Sequence, residues 1–506
     1  MIGRTRSVVL TGVVGHVIEV EAHLAASLPA FTLVGLPDTS LNEARDRVRA
    51  AVTSSGLTWP QRRITVNLSP ASLPKSGSVT DLAIAVALLA GAGLIEGRQA
   101  ADAVHLGELG LDGHVRPVRG ILPSVAAAVA AGFPRVVVAA ENAEEAGLVP
   151  GAEVSAVESL AELAAAYGND DARPATRPAS VRRPKTPTRH ESPPDLADVR
   201  GQPEARWALE VAAAGAHHLL MVGPPGAGKT MLAARLPGIL PDLTPEDALS
   251  ATAVHSISGT LDADEGLLTR PPFEAPHHSA SAAAIVGGGA RLARPGAISR
   301  AHAGVLFLDE APEFSGAVLQ TLRQPLESGE IVLHRAYGAT RYPARFQLVL
   351  AANPCPCGHF YGRGERCTCS PLVRRRYYSR LSGPLLDRVD LQVDVMPVKR
   401  GSSEPEEPTA AVAERVAEAR LRALARFEGL PWSVTAHAPP SWVREATPGA
   451  ALKVAFAALD AGRLSARGAD RALRVAWTLA DLESAAMPSQ EHVARAMVLR
   501  SREEAP

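Results

Sequence analysis

Residues 223–230 read GPPGAGKT, which has the residue types and spacing of a phosphate-binding loop. They follow the apolar run LLMV and precede the helix-forming run MLAARL. The glycines let the backbone curl so that its N–H groups surround an anionic phosphate. Lys229 is expected to bind the β- and γ-phosphates, and the Thr230 hydroxyl to ligate Mg²⁺. The motif predicts binding of Mg-ATP by Gly223, Pro224, Pro225, Gly226, Ala227, Gly228, Lys229 and Thr230.

A second motif, GVLFLDE at residues 304–310, adds two carboxylates. Four apolar residues ending in Asp-Glu predict a buried strand that presents acids at its carboxyl end. Asp309 is expected to hold the Mg²⁺ ion together with Thr230. Glu310 is expected to polarise the attacking water, as ATP hydrolysis requires.

A third predicted strand, FQLVLAANP, ends at Asn353. A polar side chain at this strand end can orient water against the γ-phosphate. The alternative is that Asn353 only forms a turn before Pro354.

Four arginines are candidates for completing the nucleotide site. Arg388 immediately precedes a predicted strand, and in ring ATPases such an arginine enters the neighbouring subunit's site. Arg467, Arg471 and Arg474 lie on a later helix-like segment, where Arg467 and Arg474 share one face. We expect one of these three to close over the nucleotide from a helical lid.

All four cysteines of the chain are close together, in the pattern C-x-C-x₉-C-x-C. Such a cluster suits tetrahedral Zn²⁺ bound by thiolates, and the alternative is four reduced cysteines in a loop. The candidate ligands are Cys355, Cys357, Cys367 and Cys369. The adjoining segments HFYGRGER and RRRYYSR suit either contact with nucleic-acid phosphates and bases or packing between subunits.

The composition is that of a globular protein, with 506 residues, 46% hydrophobic and 21% charged. The net charge of −1 excludes a globally basic nucleic-acid coat, so contacts with DNA would use local patches. The beginning of the chain is charged and does not read as a signal peptide. The apolar run at residues 82–95 is too short for a bilayer span and predicts a buried helix. We expect a cytoplasmic protein without a membrane segment.

The order of the predicted elements indicates three domains and one linker. Residues 1–167 read as mixed α/β, beginning with a strand over SVVLTGVV, and residues 168–194 as a flexible linker rich in proline, serine, threonine and arginine. Residues 195–400 read as a P-loop α/β core, a parallel sheet flanked by helices. Residues 401–506 read as a helical lid, with helices predicted at 409–426, 448–462, 466–483 and 489–502.

Several longer motifs resemble the ComM/YifB family, namely GPPGAGKT, EAPHHSASAAAIVGGG, PGAISRAHAGVLFLDEAPEF, LRQPLESGEI, PARFQLVLAANPCPCG and LSGPLLDRVDL. These proteins are AAA+ ATPases related to the ATPase subunit of magnesium chelatase. The resemblance implies a hexameric ring and, for ComM, a helicase that drives branch migration during natural transformation. It also implies that Asn353 is sensor 1, Arg388 the arginine finger and Arg467 the sensor-2 arginine.

The family motif PHHTISDAAL differs in this chain, where it reads PHHSASAAAI. Ala282 stands at the position of the family's aspartate, and we assign it no role. We expect the adjacent His277 and His278 to be structural and not to bind a catalytic metal, because no set of carboxylate ligands accompanies them.

Residues 1–167 resemble the Lon-type proteolytic domain, in the segments LPKSGSVTDLAIAVALLAG and LGELGLDGHVRPVRGILPSVAAAVAAG. Val79 stands at the position of the catalytic serine, and Leu122 at that of the lysine. Ser76 and Ser78 are nearby, but no lysine occurs from His114 to Gly132. A Ser-Lys dyad is therefore not expected, and we predict a domain without protease activity.

The resemblances also predict where DNA would bind. A related inactive domain in the recombination ATPase RadA implies a DNA-binding scaffold, for which the candidate contacts are Lys75, Arg116 and Arg119, although these can equally be solvated charges. In the magnesium-chelatase group, an insert at about residues 255–300 and a hairpin over EIVLHRAYGATRYPAR face the central pore. Arg335 and Arg341 are expected at the turn of that hairpin, where they would bind the DNA backbone.

The leading hypothesis from these features is an ATP-driven hexameric DNA motor. A second hypothesis is a chelatase-type ATPase that remodels a protein or tetrapyrrole partner, and a third is a binding module without motor activity. The fused N-terminal domain favours the first over the second. The presence of Glu310 and Arg388 argues against the third.

Overall fold

The computed structural model describes residues 1–35, 43–73, 75, 77–173, 194–289, 294–335, 338–381, 383–398 and 406–500. Most of the predicted linker and Ser76 lie outside these residues, as does the side chain of Arg335.

The N-terminal domain is built on a seven-stranded mixed sheet with the order β3-β4-β2-β1-β5-β8-β9. A separate two-stranded ribbon joins β6 and β7. The strands are β1 (Ile2–Thr11), β2 (Val14–Ala25), β3 (Ala30–Val34), β4 (Arg63–Ser69), β5 (Val104–Leu106), β6 (Glu108–Leu109), β7 (Val115–Arg116), β8 (Arg135–Ala139) and β9 (Glu153–Val157). The helices are α1 (Ala44–Ser54), α2 (Asp81–Ala92), α3 (Gly97–Asp102), α4 (Ile121–Ala130), α5 (Ala143–Gly147) and α6 (Leu160–Ala166).

Two sequence predictions for this domain have different outcomes. The single strand predicted over SVVLTGVV is wrong, because Gly12 adopts φ +67° and turns the chain into the β1–β2 hairpin. The buried helix predicted within residues 82–95 is confirmed by α2, in which every residue from Asp81 to Leu89 is buried. Its apolar side chains fill the space beneath the sheet.

The P-loop core is a five-stranded sheet in which every pairing is parallel, with the order β11-β14-β17-β10-β18. The α/β fold class predicted from the sequence is thereby confirmed. The strands of the core and its inserts are β10 (Leu219–Val222), β11 (Phe273–Glu274), β12 (Gly287–Gly288), β13 (Arg294–Pro295), β14 (Val305–Leu308), β15 (Glu330–Arg335), β16 (Gly338–Pro343), β17 (Gln347–Ala352) and β18 (Leu391–Asp394).

Helices cover both faces of this sheet, as a parallel sheet requires. Alternate residues of each strand therefore enter different apolar clusters: Leu219 and Met221 pack with α7, whereas Leu220 and Val222 pack on the opposite face. The helices are α7 (Pro203–Gly215), α8 (Lys229–Ala233), α9 (Leu236–Ile239), α10 (Pro245–Ser258), α11 (Ala282–Val286), α12 (Ala297–Arg300), α13 (Gly316–Thr321), α14 (Arg323–Ser328), α15 (Pro371–Tyr378) and α16 (Gly383–Leu386).

The C-terminal lid is helical, as predicted. Its helices are α17 (Thr409–Arg426), α18 (Pro440–Ala446), α19 (Gly449–Asp460), α20 (Ala466–Leu482) and α21 (Gln490–Val498). Apolar residues of α17, α20 and α21 join the cluster formed by α7 and one face of the sheet. The lid and the core therefore share one apolar interior.

The N-terminal domain packs against helix α10 and the β15–β16 ribbon of the core. Helix α10 lies against α4, and Ala253 of α10 belongs to the apolar cluster of the N-terminal domain. Gly12, in the β1–β2 turn, lies so close to β16 that a Cβ there would be 2.1 Å from the carbonyl oxygen of Arg341. Both elements therefore contact the N-terminal domain.

Among the described residues, no helix combines the length and the apolar character that crossing a membrane requires.

Candidate nucleotide-binding site

The predicted phosphate-binding loop lies between β10 and α8, at the carboxyl edge of the core sheet. Gly223 passes close to the neighbouring strand, where a Cβ would be 2.1 Å from the carbonyl oxygen of Val395. Gly226 and Gly228 adopt φ +75° and +95°, a region that favours glycine. The loop thus needs glycine at three of its positions, for packing at the first and for backbone conformation at the others.

The ammonium group of Lys229 is held at this loop. Its Nζ donates to the carbonyl oxygens of Gly223 and Pro224, at 2.7 and 3.0 Å, and to Oδ1 of Asn353 at 3.2 Å. Burial lowers the pKa of Lys229, and the nearby carboxylates of Asp309 and Glu310 oppose that shift. The group can therefore neutralise phosphate charge within a partly desolvated site.

Thr230 and Asp309 form the pair of oxygen ligands expected for magnesium. Asp309 directly follows β14, and its Oδ2 accepts a hydrogen bond of 2.6 Å from the Thr230 hydroxyl. Its Oδ1 accepts from the backbone N–H of Glu310 at 2.9 Å. A hydroxyl and a carboxylate oriented in this way fit Mg²⁺, which favours oxygen ligands and binds through few protein groups.

Glu310 takes a left-handed conformation, with φ +50°, immediately after the magnesium carboxylate. Its Oε2 lies 3.3 Å from Nδ1 of His278. Glu274 pairs with Leu306 in the parallel sheet. His278 lies four residues after Glu274, and Glu310 lies four residues after Leu306, so this pairing brings His278 and Glu310 together. His278 thus contacts the predicted general base, a role that the sequence interpretation missed when it called the histidine pair structural.

We expect the His278→Ala variant to hydrolyse ATP without DNA about two- to fivefold faster than the wild type, because the Glu310 carboxylate, freed of its 3.3 Å contact with the imidazole, can turn toward the attacking water. The measurement is steady-state phosphate release. His277→Ala is the matched control, since His277 bonds to Ser279 through Nδ1. A fall in rate for His278→Ala would instead make the histidine a group that orients Glu310 for catalysis.

Asn353 directly follows β17, and its side chain reaches the site. Besides the bond from Lys229, its backbone faces Tyr377 of α15. Burial raises the pKa of Tyr377 well above its ordinary value, so this phenol stays protonated. Asn353 is therefore fixed between the phosphate loop and α15, at the position expected of a residue that orients water.

Arg388 and Arg467 lie together in a second group. Arg388 forms an ion pair with Glu327 of α14, and Arg467 Nη1 lies 3.9 Å from Asp387. Burial lowers the pKa of Arg388, and Arg467 is among the nearby cations that lower it further. The two predicted arginines of the hydrolysis machinery are thus neighbours in the same subunit.

Arg471 and Arg474 are held in the protein interior. Arg471 Nη1 donates to the carbonyl oxygen of Arg388 at 2.9 Å and pairs with the buried Asp390. Although burial opposes ionisation, Arg471 holds the pKa of Asp390 far below its ordinary value. Arg474 Nε donates to the carbonyl oxygen of Ala438 at 2.7 Å. Of the three lid candidates, Arg467 alone has a largely exposed side chain, at 75%.

The four cysteines converge just beyond Asn353. Their sulfur atoms all lie within 4.8 Å of one another. The backbone N–H groups of His359 and Thr368 lower the pKa of the Cys357 thiol to about 5, whereas burial raises that of Cys355 to about 12. The cysteine pattern predicted from the sequence therefore forms one compact cluster beside the nucleotide site.

The two positions that were aligned with the serine and lysine of the Lon-type domain are apolar in the structure. Val79 and Leu122 both pack in the cluster built on β1, β5, β8 and α4. Lys75 is buried and donates to the carbonyl oxygen of Pro70, and Ser78 donates to Glu108. These contacts give Lys75 and Ser78 different hydrogen-bond partners, and the lack of protease activity stays a prediction.

Three candidate DNA contacts have other surroundings than expected, and the first is Lys75, which is buried and therefore out of reach of DNA. Arg119 lies at the interface with α10, where its Nη1 is 3.5 Å from the carbonyl oxygen of Ser258. Arg341 is not at the hairpin turn as predicted: it pairs across the ribbon with Val332, three residue pairs from the end of the ladder, and forms an ion pair with Glu330. Arg116 is exposed at the end of β7.

Three segments of the chain match known families. Residues 195–403 match the family described as magnesium chelatase, subunit ChlI, residues 406–500 its C-terminal region, and residues 20–142 the subunit ChlI of Mg-chelatase. Competence protein ComM of Haemophilus influenzae is 40% identical over 500 residues, which cover 97% of this chain and 96% of that protein. The chain belongs to the ComM/YifB family. It is an AAA+ ATPase of that family.

Two further relatives extend the ComM/YifB assignment. Protein YifB of Escherichia coli (strain K12) is 41% identical over 495 residues, covering 97% of this chain and 95% of that protein. A protein of Mycobacterium tuberculosis is 51% identical over 503 residues, with 99% and 98% covered. Lon protease 2 of Bacillus subtilis is 32% identical over 154 residues, 29% of this chain and 27% of its own length.

Proposed function

We propose that this ComM/YifB protein is a ring-forming motor that hydrolyses Mg-ATP and acts on DNA, in branch migration or unwinding during recombination or natural transformation. The convergence of Lys229, Thr230, Asp309, Glu310 and Asn353 at one edge of the parallel sheet carries the proposal. These groups supply the charge, the metal ligands and the base that phosphoryl transfer to water needs.

Each group has a defined part in hydrolysis. Lys229 binds the phosphates, and Thr230 and Asp309 hold Mg²⁺, which neutralises the charge on the phosphate oxygens. Glu310 accepts a proton from the attacking water. Asn353 lies within hydrogen-bonding reach of Lys229 and orients that water against the γ-phosphate.

We infer that Arg388 and Arg467 act on the nucleotide of the neighbouring subunit in a ring, for which we propose six subunits. They lie side by side near Asp387 and Glu327, in a group separate from the one around Lys229. An arginine supplied in trans stabilises the charge that develops on the transferred phosphoryl group. A site completed by a neighbour makes hydrolysis depend on assembly.

The segment 359–380 supports action on DNA. It holds six arginines and one glutamate, a net charge of +5 in a chain whose total is −1. Arg363, Arg366, Arg375 and Arg376 are exposed, and Tyr361 is half-buried beside Arg366. A local basic surface with an aromatic ring suits phosphate contact and base stacking. The Haemophilus influenzae relative is a competence protein, which supports the proposed role in natural transformation.

The deciding experiment measures ATP hydrolysis at a fixed salt concentration without DNA and with single-stranded, duplex and four-way-junction DNA. We expect each DNA to stimulate ATP hydrolysis to a different extent. The stimulation should weaken as the salt concentration rises, because protein contacts with DNA phosphates release counterions. Hydrolysis that ignores every DNA would contradict the motor and favour a chelatase-type remodeller, the alternative supported by the match of residues 195–403 to the magnesium chelatase family.

We expect the Lys229→Ala variant to lose both basal and DNA-stimulated hydrolysis and to bind ATP weakly, because it lacks the cation that contacts the β- and γ-phosphates. Fluorescent-nucleotide binding and phosphate release measure the two effects. Lys453→Ala, in the lid helix α19, is the control, and its rate should match the wild type. Tight ATP binding by Lys229→Ala would contradict the assignment of the loop.

The cysteine cluster is included in the proposal as a Zn²⁺ site. Four thiols in one loop offer the donor set of a closed structural zinc centre, without an open position for chemistry.

A further inference from the structure

The geometry of the four cysteines specifies a single ion. Cys355 Sγ lies 3.3 Å from Cys357 Sγ and 3.7 Å from Cys367 Sγ, and Cys357 and Cys367 are also 3.7 Å apart. Tetrahedral zinc with Zn–S bonds of about 2.3 Å has sulfur–sulfur edges of about 3.8 Å. The observed edges are near that value and far from the ~2.05 Å of a disulfide. With all four sulfurs within 4.8 Å, the space between them suits one ion and not a cluster of several irons.

The first connection of this cluster to the nucleotide site runs through the chain itself. Cys355 is fully buried and lies two residues after Asn353, whose Oδ1 accepts from Lys229 at 3.2 Å. Pro354 stiffens the link between them. Fixing the Cys355 sulfur therefore limits the positions that the Asn353 side chain can take.

The second connection is a contact with the phosphate loop. Gly358 lies against Pro225, so that a Cβ at residue 358 would be 2.5 and 2.7 Å from the proline ring. Gly358 also adopts φ +75° and closes a turn by donating its N–H to the Cys355 carbonyl at 2.9 Å. The turn that carries two of the thiols thus supports one wall of the phosphate loop.

The third connection leads to the basic helix. Ser370, directly after Cys369, caps α15 by accepting from the N–H of Val373. The Arg374 guanidinium lies over the Phe360 ring, 3.6 Å from its centroid. The cysteine loop therefore joins the exposed arginines of α15 to the two sides of the phosphate site.

We propose that Cys355, Cys357, Cys367 and Cys369 bind one Zn²⁺ that braces Asn353 and Pro225 in the geometry needed for ATP turnover and connects this site to the basic helix α15. The expected effect on ATP turnover rests on the proposed function. The binding of Zn²⁺ by the four cysteines does not depend on it. Removal of the ion is expected to disable turnover while the apolar cores keep the subunit folded, because the cluster lies in a loop at the sheet edge.

The metal part can be tested by counting metal and thiols. The chain has four cysteines, and all of them belong to the cluster, so every thiol reports on the site. We expect one zinc per chain by mass spectrometry, release of that zinc on titration with a mercurial, and tetrahedral cobalt–thiolate absorption after exchange with Co²⁺. Protein that is purified without chelator, holds no zinc and takes up neither ion would overturn the site.

The brace can be tested with two glycine variants that leave the thiols intact. Gly358→Ala would add a Cβ against Pro225, whereas Gly362→Ala adds one at a similar φ, +58°, with nothing within 4 Å. We expect both to retain zinc, and Gly358→Ala alone to lose about tenfold or more in basal ATP turnover. Equal rates for the two variants would overturn the coupling.

Loss of the ion provides the second test of the brace. We expect the Cys357→Ser/Cys367→Ser double variant to lose zinc and basal ATP turnover but to keep its far-ultraviolet circular dichroism. Full turnover in a folded, zinc-free protein would overturn the brace. If the wild type hydrolyses no ATP at all, the proposed function fails, while the metal count still decides the site.

Discussion

The Glu310→Gln variant is expected to bind Mg-ATP with wild-type affinity and to hydrolyse it about 10²- to 10⁴-fold more slowly, the range that a general base contributes. Glutamine keeps the size of the side chain, but it cannot take a proton from water. Lys229, Thr230 and Asp309 remain in position to bind the nucleotide. Nucleotide binding by fluorescence and single-turnover hydrolysis separate the two steps.

Glu313→Gln is the matched control for that experiment. Glu313 is a carboxylate three residues away that pairs with Arg380 at 3.2 Å, outside the group around Lys229. Its rate of hydrolysis should stay near that of the wild type. Normal turnover by Glu310→Gln would remove Glu310 as the base, and loss of ATP binding would make it part of the metal site instead.

The Arg388→Ala variant is expected to lose about 10³-fold or more in turnover, as other enzymes do without an arginine finger. If the arginine acts in trans, mixing Arg388→Ala with Lys229→Ala subunits will restore activity that neither variant has alone. In the mixture, some interfaces join the intact phosphate loop of an Arg388→Ala subunit to the intact Arg388 of a Lys229→Ala subunit. Random mixing in equal amounts gives about a quarter of interfaces of this kind.

Phosphate release measured across a range of mixing ratios checks this expectation, with assembly followed by light scattering. Glu327→Gln is the control, because it breaks the ion pair to Arg388 within the subunit but keeps the arginine. We expect it to remain active. Mixed rings that form without any recovery of activity would contradict action in trans.

The parts of the molecule that sequence predicts well are those fixed by local chemistry. GPPGAGKT needs particular glycines wherever it occurs, and the predicted helix 409–426 coincides with α17, Thr409–Arg426, because an amphipathic repeat identifies it. Asp309 and Glu310 follow an apolar run whose length matches a buried strand. The structure places these residues where the sequence predicted them.

The parts that sequence misses depend on contacts between distant segments or on weak local signals. Strand β9, Glu153–Val157, is an edge strand with mostly exposed or half-buried residues, so it carries little apolar pattern. The alternation of Ile18, Val20, Ala22 and Leu24 could have revealed β2, had the turn at Gly12 been recognised. The contact between His278 and Glu310 depends on the order of strands in the sheet, which the local sequence does not specify.

The apolar interior shared by the sheet, α7 and the lid has a mechanical consequence. Swinging the lid as a flap would separate α17 and α20 from α7 and expose the apolar side chains packed between them, at about 1.5–3 kcal/mol for each large side chain. We therefore expect the core and the lid of one subunit to move together as a rigid body. The conformational changes that follow ATP turnover would then occur at the interfaces between subunits of the proposed ring. The rotation of one whole subunit against the next would set the distance moved along DNA in each step.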